Sequence, residues 1–427
     1  MKCKKCSSDV GILEKTCPHC GNDLRKIDLS GAGADSSRKR GKLFDSGGMV
    51  DEVRTSLREE LDSAKSEIFK DPPPRVVSDA QPTSKGRADR FTSAAPFMNV
   101  TTKDVQVAIE NLDWVNYSLA HAGLSQIARL CITNTTGEDA ENVFIKIWIP
   151  DYGDQWHKTI ARIPAGGQHV EEHIKIHLNK KRLEEVDEAE NAVIQIEITA
   201  DNERIYADTL PVRILAFNEW VYVRKCPELI ASFIMPNSTA VETVVNSAKD
   251  QLHAICSTQS FDGYQTGDPD KADKMVAALH AALQKELTIT YINPPVSFEK
   301  TGQKIFLPDK IVEHQRGTCL DLSLFYAACI ERIGLDPVIF LVHGHAFLGY
   351  WRVPCGFNSV CANEISAVQK AIEQKTLAVV NSTTFTLAGS SFAGSVKDAQ
   401  SILEDEDIFE YAIDVSQARA NGILPMD

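Results

Sequence analysis

The chain has no run of apolar residues long enough to cross a bilayer, and its start, Met1-Lys2-Cys3-Lys4-Lys5-Cys6, is polar with no apolar stretch behind it. Neither a membrane span nor a secretion signal is therefore expected. Positive charge is in deficit, with 45 Lys and Arg against 59 Asp and Glu and a net charge of −14. Such an acidic chain is not built to coat nucleic acid, because that binding is driven by phosphate neutralisation and counterion release. No Gly-x-x-x-x-Gly-Lys-Ser/Thr run occurs, so ATP hydrolysis on a phosphate-cradling loop is not expected. A disulfide framework is also lacking. The eleven cysteines divide into a tight N-terminal cluster and seven scattered positions, most within apolar segments such as Leu130-Cys131-Ile132 and Ala328-Cys329-Ile330. That scatter is expected of reduced, buried thiols in a cytoplasmic protein.

What is present is ample for two or three domains: 427 residues, 43% hydrophobic and 24% charged. Cys3-x-x-Cys6 and Cys17-x-x-Cys20 form two knuckles, and four thiolates complete the tetrahedral sulfur shell of one structural zinc ion. Redox chemistry is the competing use, although it needs only one such pair. His19, between two ligands, reads as an exposed spacer. From Lys26 to about Met98 the composition turns to Ser, Gly, Asp, Pro and charge, the signature of a disordered linker. Within it, Val50, Val53, Leu57, Leu61, Ala64 and Ile68 recur at helical steps and predict one amphipathic helix at about 49–69 that can dock on a partner. The triplet Arg38-Lys39-Arg40 is a local basic patch that could touch nucleic acid or an acidic protein, although a short charge run is usually just solvated.

Between 100 and 222 the pattern is alternation. Val143, Ile145, Ile147 and Ile149 interleave with Phe144, Lys146 and Trp148, and Ile194, Ile196 and Ile198 do the same with polar residues. Turn clusters such as Asn134-Thr135-Thr136-Gly137 and Pro164-Ala165-Gly166-Gly167 punctuate these runs, predicting an immunoglobulin-like β-sandwich that binds or spaces. After Trp220 the texture becomes helical, over Ala240–Cys256 and Lys271–Leu287, the latter opened by Asp268-Pro269-Asp270.

Chemistry concentrates later. Cys319 follows a glycine in Arg316-Gly317-Thr318-Cys319-Leu320-Asp321-Leu322 and heads a helical pattern stopped by Gly334. A helix N-terminus stabilises a thiolate, so a cysteine there becomes a nucleophile. Asp321 is expected to serve that helix start. His345 follows the strand-like run Val338–Val342, and Asn381 ends a second such run, Leu377-Ala378-Val379-Val380. Antiparallel neighbouring strands would set His345 beside Asn381, leaving the imidazole to take the thiol proton while the amide orients the ring. His343 competes for the base role, since two residues apart on a strand puts both histidines on one face. For the oxyanion, the Cys319 backbone N–H is one natural donor, and Gln303 or Gln315 a candidate for the second.

Cysteine on a helix, histidine on a strand and Asp or Asn on the next strand resembles the core of the transglutaminase-like, papain-like cysteine hydrolases. More narrowly, Asp262–Pro269, Tyr291–Pro295, Phe298–Lys304, the Cys319 segment, Gly344–Phe347 and the tail Tyr411–Asp414 resemble the N-terminal region of large bacterial proteins that continue into a superfamily I helicase and a restriction-like nuclease. The likeness spans about 105–425. It implies a β-sandwich (100–222) followed by a transglutaminase-like domain (223–427); with the zinc ribbon (1–25) and linker (26–99) read from spacing and composition, the expected chain is multidomain α+β. It implies a Cys319–His345–Asn381 peptidase or amidase acting on a protein or peptide, or a transamidase, working in bacterial defence. The chain departs from those proteins by stopping at Asp427 and by carrying Asn381 where many carry an acid. The contrasting expectation is a catalytically inactive scaffold that binds a protein partner, with the ribbon recruiting nucleic acid or another subunit.

Overall fold

The computed structural model describes residues 98–101, 105–221, 226–293 and 302–426. All of them belong to one compact unit, 80–427. The zinc knuckles and the linker helix lie outside the described residues.

The first part is built of two sheets. Its strands are β1 (Met98–Thr101), β2 (Val105–Asn111), β3 (Trp114–Val115), β4 (Ile127–Asn134), β5 (Ala140–Ile149), β6 (Gly153–Ile163), β7 (Gln168–Ile174), β8 (Glu190–Ala200) and β9 (Glu203–Ile214). One sheet runs β1-β2-β4-β7 and the other β3-β9-β8-β5-β6. The alternation in the sequence is the reason these strands pair as they do. Ile145 and Ile147 oppose Ile198 and Ile196 in the β5–β8 register, and all four are buried while Phe144 and Lys146 stay outside. A one-residue slip would turn that isoleucine row to water, at about 1.5–3 kcal/mol for each side chain. At the end of β4, Asn134 accepts from the Thr136 N–H at 3.0 Å and donates to the Glu138 carbonyl at 2.8 Å, closing the Asn-Thr-Thr-Gly turn through its side chain.

The second part mixes helices with small sheets. Its elements are β10 (Glu219–Trp220), α1 (Thr239–Cys256), α2 (Pro269–Glu286), β11 (Thr290–Tyr291), β12 (Gln303–Lys304), β13 (Arg316–Gly317), α3 (Cys319–Arg332), β14 (Pro337–Val342), β15 (His345–Trp351), β16 (Cys361–Ala362), α4 (Ile365–Glu373), β17 (Leu377–Val380), α5 (Phe392–Ile402) and β18 (Phe409–Asp414). Five strands form an antiparallel sheet ordered β16-β18-β14-β15-β17. Helix α3 is buried at every position from Cys319 to Ile330, as a helix apolar on all sides must be, and packs between this sheet and the α1–α2 pair. It stops at Gly334, whose φ of +80° suits a residue without Cβ.

The two parts share one continuous apolar core. β10 pairs antiparallel with β12, and the Asn116 side chain donates to the Glu219 carbonyl at 2.7 Å. The described residues are thus mixed α/β with several separate sheets, an α+β arrangement. Among them no helix is long and apolar enough to cross a membrane. Cys131, Cys226, Cys256, Cys319, Cys329, Cys355 and Cys361 are all free thiols.

Candidate functional site

Cys319 is the first residue of α3, and the sequence around it is a helix-start device. Thr318 accepts from the Asp321 N–H at 3.3 Å, while Asp321 Oδ2 accepts from the Thr318 N–H and hydroxyl, each at 2.9 Å. This reciprocal cap satisfies donors that a helix N-terminus otherwise leaves bare. Asp321 Oδ1 also takes the Phe306 N–H at 2.9 Å, so Asp321 serves the helix start as its spacing implied. Gln303 donates to the Thr318 hydroxyl at 2.9 Å, so it braces the cap. Gln315, exposed and at φ +50°, ends the short helix Pro308–His314.

His345 opens β15. The expectation that His343 and His345 share a strand face is not met: His343 and Gly344 make the β14–β15 turn, with Gly344 at φ +71°. A tight hairpin needs that left-handed residue, which takes His343 off the strand and to within 3.7 Å of Glu410. β15 pairs with β17 in the register Leu348↔Val380 through Trp351↔Leu377, so Asn381 emerges next to the start of β15. His345 Nε2 donates to Asn381 Oδ1 across 3.3 Å. The other face of the ring's chemistry belongs to sulfur: Cys319 and His345 hydrogen-bond through their side chains, and the Ala346 N–H also points at Cys319. With Nε2 engaged by Asn381, Nδ1 is the nitrogen left for the thiol. The structure therefore brings Cys319, His345 and Asn381 together.

Electrostatics follow from these contacts. Burial alone pushes the Cys319 thiol up, but the His345 bond and charge, with the Ala346 N–H, outweigh it and bring the thiol below its ordinary value against the opposing charge of Asp321. Burial likewise disfavours a charged His345; the thiolate, the Asn381 carbonyl and the Asp398 charge overcome it and raise the ring above its ordinary value. A lowered thiol beside a raised imidazole is the condition for a thiolate–imidazolium pair. Burial also pushes Asp321 up to about 6, against the hydrogen bonds it receives from Thr318 and Phe306.

Three residues here were not read from the sequence as site residues. Asp398, on α5, accepts from Asn381 Nδ2 at 2.6 Å. Tyr291, on β11 beside Gly317, reaches Cys319 with its hydroxyl while 37% of the residue stays exposed. Buried Ser323, one turn along α3, donates to the Cys319 carbonyl at 2.7 Å and lies 2.7 Å from the Ser382 hydroxyl, tying the turn under Cys319 to the residue after Asn381. Of these, only Tyr291 had a sequence signal, its place two residues ahead of Asn293-Pro294-Pro295. A serine inside an apolar helix, or an aspartate on an amphipathic one, carries none.

Cys3, Cys6, Cys17 and Cys20 lie outside the described residues. Among the described residues no group of three or more His, Cys, Asp or Glu is arranged to hold a metal ion. No protein-family model matches the chain, and no curated protein matches it.

Proposed function

We propose that the chain is a cysteine hydrolase of the transglutaminase-like kind, a peptidase or amidase acting on a protein or peptide amide. One observation carries this reading: a thiol at a capped helix start is hydrogen-bonded to an imidazole whose far nitrogen donates to an asparagine carbonyl at 3.3 Å. In the proposed cycle the Cys319 sulfur attacks the amide carbon and the carbonyl π pair moves onto oxygen. The Cys319 N–H, at the first helical position where no intrahelical acceptor exists, is one donor for that oxyanion. As the C–N bond breaks, His345 gives its Nδ1 proton to the departing amine, leaving a thioester. Water then attacks the thioester carbon, losing a proton to His345, and the acid leaves as the thiol re-forms. An amine in place of water gives transamidation with the same groups. The Tyr291 hydroxyl is hydrogen-bonded to the Cys319 side chain.

The two-sheet region is read as an immunoglobulin-like sandwich that binds or spaces. The four N-terminal thiolates are read as the ligands of one structural zinc, a donor set suited to that ion. The scattered thiols support a cytoplasmic setting, and resemblance alone supports a role in bacterial defence. The test of the central reading is acyl transfer. With p-nitrophenyl acetate, the chain should release a nitrophenol burst and carry an acetyl group on Cys319 by mass spectrometry. His345→Ala should abolish both. A chain acetylated no faster than its His345→Ala variant is not a hydrolase of this kind, and the scaffold role would then stand. For the ribbon, metal analysis decides: fewer than about one zinc per chain, with Cys3 and Cys17 open to alkylation, removes the tetrathiolate site.

A further inference from the structure

An asparagine amide has two unlike ends, and the end that faces a histidine decides which ring nitrogen carries the proton. If the carbonyl faces Nε2, that nitrogen must hold hydrogen and the free lone pair sits on Nδ1. If the NH2 faces Nε2, the proton moves to Nδ1, and a thiol there finds no base. The orientation of Asn381 is thus the condition on which the Cys319–His345 pair depends.

Several contacts settle that orientation. Asn381 Nδ2 lies 2.6 Å from Asp398 Oδ2, and a carboxylate only accepts hydrogen bonds. The NH2 end is therefore held on the Asp398 side. Oδ1, at the other end, accepts from the Thr383 N–H at 3.2 Å and the Thr383 hydroxyl at 2.9 Å as well as from His345. The Thr383 hydroxyl could also accept from an NH2 group, but its backbone N–H only donates, so it holds the carbonyl end of Asn381 while Asp398 holds the NH2 end.

Helix α5 is docked so as to deliver that carboxylate. The Asn381 N–H donates to the Ser395 carbonyl at 3.1 Å, one turn before Asp398 on the same helix face. Ser395 in turn lies 2.9 Å from Nε2 of buried His280 on α2. The position of Asp398 is therefore set from two directions, by α2 and by the Asn381 backbone.

We propose that Asp398 is a positioning residue: its carboxylate orients the Asn381 amide and thereby selects the His345 tautomer that receives the Cys319 proton. The inference rests on the acyl-transfer reading above, but its test does not.

In the full chain carrying Cys319→Ala, nitrogen NMR of the His345 ring at about pH 8.5, where an ordinary imidazole is neutral, should show the Nε2–H tautomer. Adding Asp398→Asn, which keeps the shape but can accept or donate, should give a mixture of the two tautomers. With Cys319 present, Asp398→Asn should slow its iodoacetamide reaction at about pH 6.5 by about tenfold, and Asp398→Glu should recover part of that loss. A circular-dichroism melt separates this effect from unfolding. An Nδ1–H tautomer with Asp398 in place, or a tautomer indifferent to Asp398→Asn, overturns the proposal. If the tautomer follows Asp398 while Cys319 reacts as an ordinary thiol, the positioning stands and the hydrolase reading falls. If Cys319 is reactive and the tautomer ignores Asp398, the reverse holds.

Discussion

Replacing His345 by alanine removes the group that brings the Cys319 thiol below its ordinary value, and the size of the effect can be worked out. Burial is the largest influence on this thiol and favours its neutral form; the His345 bond and charge are what reverse it, helped by the Ala346 N–H. In His345→Ala, burial is opposed by that amide, the Tyr291 hydroxyl and the helix end without the imidazole, so Cys319 should behave as an ordinary or weaker thiol. An ordinary thiol is about 1% ionised at pH 6.5 and about a quarter ionised at pH 8, so its alkylation rate rises about 25-fold across that interval. A thiolate already paired with imidazolium changes by less than about twofold over the same range, because its charged fraction barely moves. The assay is pulsed iodoacetamide labelling at both pH values, with peptide mapping to separate Cys319 from the other thiols. Exposed Cys355, whose thiol is pushed up by burial and by the charges of Asp414 and Asp336, is an internal reference with a steep rise. The groups acting on the pair are Asn381, Asp398, Ala346, Tyr291 and Asp321, and all of them remain in the variant. A rise of about 25-fold at Cys319 in the unaltered chain, unchanged by His345→Ala, would refute the ion pair.

Further expectations concern the frame that holds the site. A Cβ at Gly349 would lie 2.5 Å from the Ala378 carbonyl oxygen and 2.8 Å from the Phe340 ring, so Gly349→Ala should force β15 and β17 apart. The expected cost is about 2–3 kcal/mol in a denaturant titration, with Cys319 reactivity falling because β17 leads into Asn381. Thr318→Val removes the hydroxyl that Asp321 and Gln303 bond, and should cost about 1–2 kcal/mol by the same titration. Burial pushes His280 down to about 4, below its ordinary value, so its contribution to stability is present above about pH 6.5 and is lost as pH falls toward 4. Between about pH 7.5 and pH 5 the loss should be about 2 kcal/mol, and His280→Gln should flatten that slope in pH-dependent chemical denaturation.

Much of this architecture was legible residue by residue, because the signals are local. The isoleucine alternation of β5 and β8 states which face is wet, and Asp268 before Pro269 marks the start of α2 as its N-cap. Thr318-x-x-Asp321 caps α3 through atoms three residues apart, so the place of Cys319 at a helix head needs no tertiary knowledge. Glycine marked the end of α3 at Gly334, whereas the turn at Gly344 was not read as one. That turn is also where the reading of His343 failed, since alternation cannot tell the last residue of a strand from the first of a hairpin.

The sequence by itself determined the long helices and alternating strands but not α5, together with the cap that presents Cys319 and the order of cysteine, histidine and asparagine along the chain. Only the tertiary structure decided which groups complete that trio. The β15–β17 register sets His345 Nε2 against an amide 36 residues away, and the docking of α5 brings Asp398 to the far end of the same amide. β11, pairing with the strand just before Cys319, brings Tyr291 to the sulfur. The physical reason is the range of the forces involved. Helix caps, turns and periodic burial act over three or four residues and leave a pattern in the chain, whereas a hydrogen bond between distant segments depends on how whole elements pack.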